Sequence, residues 1–453
     1  MMKSGSTFSL LNMQSTILKV RLQFRNWSMS SRTLTVLSLF AAGFFFYRIS
    51  VYFLVTDLSY HTEWRSCPAC YGSRMCWRIH ESSVHGKEGW HHINHMTNVK
   101  NVYFARLAGE ELVFKKLAHN DELATIDSYI CGGGLSLCST HSANNHRFCL
   151  SEAPSLNQHL NCRCDVQKAV HKIAAKLTGP LVVEDVKGLG DAMYCPSSRL
   201  VQRMIFRYQE FGKEVADGGL SKEEKMMMLY TLSVNPEPII QQLFPYDEGW
   251  PFIKYIGACG RMIAEQNGGL PLRNYFAADW KVRVKLSLQL LHIADLLTDN
   301  TIGFKIYFSD ISLDNYVVDE NLKVSIADAE NVLVVDEMEL ERAAAPGFDK
   351  PHVSEFDTCE PGANCLSVDM DGLCSATTAD FNFYAVCRSL LSSYAQDEEG
   401  MNGGLLHSLP SSYPLSQSIS SLADECAKPS KGRSRYTIKD QLITDLEKFI
   451  SSF

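Results

Sequence analysis

No cysteine occurs before Cys67 and no acidic residue before Asp57, so the start of this 453-residue chain differs in kind from the rest. All 15 cysteines lie in the body, which is what disulfide-forming compartments favour, and their odd number leaves one thiol unpaired or bonded to another chain. The chain also lacks net positive charge. Lys3, Lys19, Arg21, Arg25 and Arg32 are the only charged groups up to residue 32, so a formal net charge of −8 leaves −13 on the remainder, and an acidic body argues against nucleic acid as a partner. An uninterrupted apolar run of about 20 residues, the usual length of a membrane span, is missing too.

The run TLTVLSLFAAGFFFY (33–47) is interrupted by Arg48 and continues as ISVYFLV to Val55, 23 residues in all. A long basic side chain at such a place snorkels to the interface. The positive flank on its N-terminal side predicts a cytosolic N-terminus and a type II signal anchor. Cleavage near Ala41-Ala42-Gly43 or after Tyr47 is the rival reading, and either one sends the body into the secretory pathway. The expectation is a single-pass protein of the Golgi or endoplasmic reticulum with a lumenal body, or a secreted one after cleavage. The single glycosylation sequon, Asn26-Trp27-Ser28, falls in the arm predicted to be cytosolic.

Other absences narrow the chemistry. Gly132-Gly133-Gly134 have no following Lys-Ser/Thr and are not a P-loop. Asp369-Met370-Asp371-Gly372 resembles part of a calcium loop but has no glutamate at its twelfth position. Cys67-Pro68-Ala69-Cys70 has no second pair at zinc-finger spacing and no βαβ unit, so a small disulfide-tied collar is the expected reading over zinc or redox chemistry.

What is present centres on residues 304–335. After the apolar run Phe304–Phe308, Asp310 and Asn315 stand five apart, with Asp314 between them. Tyr316–Val318 and Leu322–Ile326 flank the polar turn Asp319-Glu320-Asn321 and predict a hairpin that returns Asp328 beside the loop. A protein kinase spaces its catalytic Asp and metal-binding Asn in this way and carries a second metal-binding Asp after the hairpin. Upstream, Val102–Ala105 and Leu112–Lys115 read as strands. Lys115 ends the second, Lys116 points to the opposite face, and Glu122 in the helix opening at Asp121 is positioned to pair with Lys115. Residues 131–200 look like a cysteine-stapled insertion, and Arg199–Phe244 like two helices, the second opening at the capping box Ser221-Lys222-Glu223-Glu224. Tyr246–Ala264 reads as a strand pair, and Leu286, Leu290, Ile293 and Leu297 as the buried stripe of a helix. A helix over Thr378–Tyr394, a loop over 396–435 and a final amphipathic helix bearing Ile438, Leu442, Leu446 and Phe449 complete the reading.

The segments CPACYG (67–72), NVKNVYFA (98–105), NPEPIIQQLFPYDEGWPFIKYIGACGRM (235–262), ADAENVLVVD (327–336), FYAVCRSLL (383–391), GGLLH (403–407) and DECAKP (424–429) resemble the divergent protein kinase domain family of cysteine-rich, secretory-pathway kinase-like proteins, and within it the deleted-in-autism branch. The resemblance implies an α+β, two-lobed protein-kinase-like fold with a disulfide-rich N-terminal region and insertion. The likeness runs from Cys67 to about residue 450, and with the arm and anchor read from charge and hydropathy the expected parts are a basic cytosolic arm (1–32), a signal anchor (33–55), a Cys-rich collar (56–97), a kinase-like N-lobe with a Cys-rich and helical insertion (98–265) and a kinase-like C-lobe with a C-terminal helix (266–453). It implies ATP with Mg²⁺ or Mn²⁺ as cofactors, Asp310 as catalytic base, Lys115 and Glu122 for nucleotide, and Asn315 and Asp328 for metal. The chain departs from the kinase pattern in having no Gly-x-Gly-x-x-Gly before Lys115, Phe308-Ser309 before Asp310, Ala329-Glu330 after Asp328, and no Ala-Pro-Glu. Two functions fit these residues: a lumenal or secreted kinase acting on a protein or glycan hydroxyl, and an inactive pseudokinase serving as a signalling ligand or binding module for an unidentified protein or receptor.

Overall fold

The computed structural model describes residues 38–40, 42–44, 58–82, 101–131, 166–212, 219–356, 366–396 and 402–452. Most of the expected anchor, the sequon, Gly132–Gly134 and cysteines 138, 149, 162, 164, 359 and 365 lie outside them. No described helix is long and apolar enough to cross a membrane.

The N-lobe is a four-stranded antiparallel sheet in the order β1-β2-β4-β3. Strand β1 (Asn101–Leu107) alternates strictly: Tyr103, Ala105 and Leu107 are buried while Phe104 and Arg106 face outward. It turns into β2 (Glu110–Lys116) through Ala108 and Gly109, both at positive φ, which is the two-residue turn that matches strand twist. Strands β3 (Tyr255–Cys259) and β4 (Met262–Gln266) form the second hairpin.

Residues 58–82, the described part of the stretch expected as a collar (56–97), run against the outer edge of β3. Gly260 N–H donates to Gly72 O at 2.7 Å, Met75 N–H to Ala258 O at 3.0 Å, and Cys76 is disulfide-bonded to Cys259. Gly260 has φ +60°, and a Cβ there would lie 1.8 Å from Thr62 O. Helix α1 (Cys76–Ser82) packs Ile79 with Leu58, Met75, Tyr103 and Phe114 in one apolar cluster. Cys67 and Cys70 are joined to each other by a disulfide.

The stretch read as two helices is three. Helix α2 (Asn120–Cys131) precedes the insertion, followed by α3 (Ser198–Gly212), α4 (Lys222–Val234) and the additional α5 (Glu237–Leu243). The break falls at Asn235-Pro236, because proline has no N–H to continue the ladder but suits a helix's first turn. The Ser221/Glu224 capping box opens α4 in both directions, at 3.2 and 2.9 Å. Met226, Met227, Met228, Leu229 and Leu232 are buried, as expected of a core face.

Helix α3 joins the lobes. Arg199 forks onto Asp336, with Nε 3.0 Å from Oδ1, and donates to Ile302 O and Gly303 O, both at 2.7 Å. Cys195 is disulfide-bonded to Cys374, and Arg203 donates to Leu243 O, at the end of α5, at 2.9 Å.

The connection between lobes, Asn267-Gly268-Gly269, lies against the strand Tyr316–Val318, where a Cβ on Gly269 (φ +103°) would meet Val318 O at 2.0 Å. The C-lobe is built on α6 (Trp280–Thr298), capped by Asp279 and burying Leu286, Leu290, Ile293 and Leu297. After α6, β6 (Phe304–Phe308) pairs with β9 (Val332–Asp336), while β5 (Leu270–Pro271), β7 (Tyr316–Val318) and β8 (Val324–Ile326) form a small sheet. Helix α7 (Phe381–Val386) continues into a wider turn at Cys387–Leu391, shorter than the helix expected over 378–394. Asp380 does more than favour its helix start: it accepts from Ser354 N–H at 2.8 Å and is ion-paired with the buried Arg435. The expected loop at 396–435 contains helix α8 (Ser416–Ala427), whose Cys426 is bonded to Cys387. The last helix is α9 (Arg435–Ile450).

Candidate functional site

The cleft between the lobes is assembled from the ends of β2 and β6, the 327–331 turn and α5. Strand β6 is fixed from behind by Asn382 of α7. This buried amide accepts from Phe308 N–H at 3.2 Å and donates to Ile306 O at 2.8 Å and Thr298 Oγ1 at 3.0 Å. The 309–315 loop leaves β6 at a point held on both sides, since Ser309 N–H also donates to Asn331 O at 3.1 Å.

Asp310 is half-buried, and its Oδ2 accepts from Asn331 Nδ2 at 3.3 Å. Asn315 is buried and donates from Nδ2 to Asp310 O at 2.8 Å, which leaves its amide oxygen as the group for another partner. Ala327 N–H bonds Asn315 O at 2.8 Å, so the hairpin brings the segment bearing Asp328 back onto the loop, as the sequence predicts. Asp314 turns away from Asp310 into a fork with Arg273, 2.6–2.9 Å, on the segment that follows the lobe connection.

Lys115 reaches from the N-lobe into this group, but its partner is not Glu122. The Glu122 carboxylate accepts from His119 N–H at 2.8 Å, closing the first turn of its own helix. Lys115 Nζ instead lies 2.8 Å from Glu237 Oε1 on α5 and 2.8 Å from Glu265 Oε2 on β4, and it donates to Ala327 O. Both carboxylates are essentially fully buried. Glu237 ties the lobes together, because its Oε2 also accepts from Ala329 N–H at 3.2 Å. Asn235, just before α5, accepts from Glu237 N–H at 3.0 Å and donates to Glu330 Oε2 at 2.8 Å. Glu330 is therefore drawn toward the N-lobe helices. Lys116, on the opposite face as expected, pairs with Glu63 and Asn120.

The electrostatics follow from one ammonium among several acids. Burial alone would lower the Lys115 pKa, but Glu237, Glu265 and Asp328 outweigh it and hold the value above the ordinary lysine range. Burial pushes the Glu237 carboxyl well up, Lys115 pulls it down, and Glu265 and Asp328 push it up again.

Sequence reasoning named Lys115, Asp310, Asn315 and Asp328, and did not single out Glu237, Glu265, Asn235 and Asn331, which the structure places beside them. The available signals were the Asn-Pro-Glu-Pro run at 235–238 and a lone acid, Glu265, ending an apolar strand. No cluster of three or more His, Cys, Asp or Glu suited to a metal occurs among the described residues. Asn315 and Asp328, expected to bind metal, are hard oxygen donors of the kind Mg²⁺ and Mn²⁺ take.

The model of the protein-kinase domain of FAM69 matches residues 229–429, a span that includes Glu237, Glu265 and the 310–330 loops but not Lys115. Human Divergent protein kinase domain 2A is 39% identical over 396 residues, 83% of this chain and 85% of the relative. Its Xenopus tropicalis counterpart is 38% identical over 394 residues, with the same coverage. Human Divergent protein kinase domain 2B is 34% identical over 191 residues, 39% of this chain and 42% of the relative. With its kinase-like order of strands, helices and cleft residues, the chain belongs to the divergent protein kinase domain family.

Proposed function

We propose that this protein is a lumenal or secreted phosphotransferase that moves the γ-phosphoryl of ATP to a hydroxyl of a protein or glycan. The observation that carries the reading is the convergence of Lys115 with the Asp310–Asn315 loop through Glu237 and the Ala327 and Ala329 backbone. Asp310, oriented by Asn331, accepts the proton of the acceptor hydroxyl, and Lys115 holds the phosphate tail. Asn315 and Asp328 hold Mg²⁺ or Mn²⁺. When bound, that ion neutralises charge on the phosphates. Four disulfides among the described residues support an oxidising compartment.

A second reading, a pseudokinase that acts as a ligand or binding module, is favoured by one observation: protein oxygens already surround the Lys115 ammonium. Metal-dependent ATP binding and hydrolysis by the purified chain, beside Asp310→Ala and Asp328→Ala, separates the two. Turnover that both substitutions abolish supports the enzyme, and wild-type protein without metal-dependent binding or turnover rules it out. Protease digestion of the body in intact microsomes would overturn the lumenal assignment.

A further inference from the structure

The contact between Lys115 and Glu265 has no part in the transfer just described. An ammonium has three N–H donors, and three protein oxygens surround this one: Glu237 Oε1, Glu265 Oε2 and Ala327 O. Lys115 Nζ donates hydrogen bonds to Glu237 Oε1 and Ala327 O and has Glu265 Oε2 at ion-pair distance, so a phosphate oxygen that approaches the ammonium competes with these oxygens for its charge. Two are fixed by the rest of the cleft. Glu237 is held by Ala329 N–H and sits on a helix anchored at Asn235, and Ala327 is bonded through its own N–H to Asn315.

Glu265 is placed differently. It lies on β4 opposite Val113 while Lys115 lies opposite Ile263, so Glu265, Val113 and Lys115 share the cleft face of the sheet. It stands two positions before the lobe connection, with Gln266 between. Its other oxygen accepts from Gln241, and it is fully buried, so water does not screen its attraction for Lys115. Glu237 alone is enough to neutralise and orient the lysine. The second carboxylate adds only competition for it.

We propose that Glu265 sets the affinity of the cleft for phosphate, its carboxylate competing with the phosphate tail of a nucleotide for the Lys115 ammonium. This rests on the nucleotide reading of the cleft but not on turnover. The test is calorimetric binding of ATP and of adenosine, each with Mg²⁺, to the full chain, to Glu265→Met, to Glu265→Gln and to Glu265→Met/Lys115→Met. The expected result is about tenfold tighter ATP binding by Glu265→Met, a difference near 1.4 kcal/mol. Adenosine affinity stays unchanged, the gain is smaller for Glu265→Gln, and the double variant shows none. If Glu265→Met fails to fold, Glu265→Gln, which keeps an acceptor for Gln241, carries the same test. No gain for ATP, an equal gain for adenosine, or no binding by any variant overturns the proposal. Binding by Glu265→Met but not by wild type upholds the competition and removes the kinase reading from the resting chain. Equal binding by both overturns the competition and leaves the kinase reading standing.

Discussion

Replacing Lys115 with methionine removes the single cation between two buried acids, and the structure predicts a folding defect as well as loss of nucleotide contacts. Without Lys115, the Glu237 and Glu265 side chains, both essentially inaccessible, lose the cation that lies 2.8 Å from each. Breaking a buried pair by removing one partner costs about 3–5 kcal/mol. For a protein of this size that lowers the melting temperature by about 3–5 °C. The sign with pH follows from linkage. Glu237 already sits well above its unfolded value of 4.5, and loss of Lys115 pushes it higher. The folded variant therefore binds more protons than the unfolded chain above that value, and its stability falls as pH rises. Thermal melts at pH 5.5 and pH 8 should show a larger deficit at pH 8, and Glu265→Gln added to Lys115→Met should recover part of it. A deficit below about 1 kcal/mol, or one that does not grow with pH, would refute a cation held between two buried acids.

Other perturbations test the scaffold. Burial pushes the Tyr208 phenol up to about 12, against the downward pull of Arg74, so absorbance near 295 nm should show this tyrosine still protonated at pH 11. Its contribution to stability is intact below pH 10 and is lost at about 1.4 kcal/mol per pH unit between pH 10 and 12. Gly260→Ala places a methyl against Thr62 O at positive φ and should cost more than about 1 kcal/mol, with faster proteolysis of residues 58–82 as the readout. Asn382→Leu leaves Phe308 N–H and Ile306 O without their partner, costing about 1–3 kcal/mol for each. If the enzyme reading holds, turnover should fall in that variant while nucleotide affinity stays the same. Cys76→Ser/Cys259→Ser opens a link across 183 residues of sequence and should lower the stability of the N-lobe by about 2–5 kcal/mol, measured by denaturant titration without reductant.

The parts of the site written in short spacings could be read from the chain. Asp310, Asn315 and Asp328 lie on one loop and the hairpin after it, so local strand and turn signals were enough to bring them together. The lysine's partner was not legible for the opposite reason. Glu237 lies 122 residues beyond Lys115, after an insertion, whereas Glu122 stands at a plausible helical offset and is used by its own backbone instead. The pairing of β6 with β9 was similarly hidden, because nothing local distinguishes two apolar strands that pair with each other from two that pair elsewhere. Helix α8 was obscured by composition: SQSISS reads as loop until Ile419, Leu422, Ala423 and Cys426 find α7 and α9 to pack against.

Helix α3 limits which movements can alter the cleft. Its start is fastened to the C-lobe by Cys195–Cys374 and Arg199–Asp336, and one turn later Arg203 holds the end of the helix that carries Glu237. Glu237 therefore has few independent degrees of freedom: to swing away from Lys115 it must give up the Arg203 contact or carry α3 with it. A switch that toggles by throwing this helix outward is mechanically disfavoured while the disulfide is intact. Through the Cys195–Cys374 disulfide and the Arg199 fork, any movement of α5 that keeps the Arg203 contact is tied to the C-lobe.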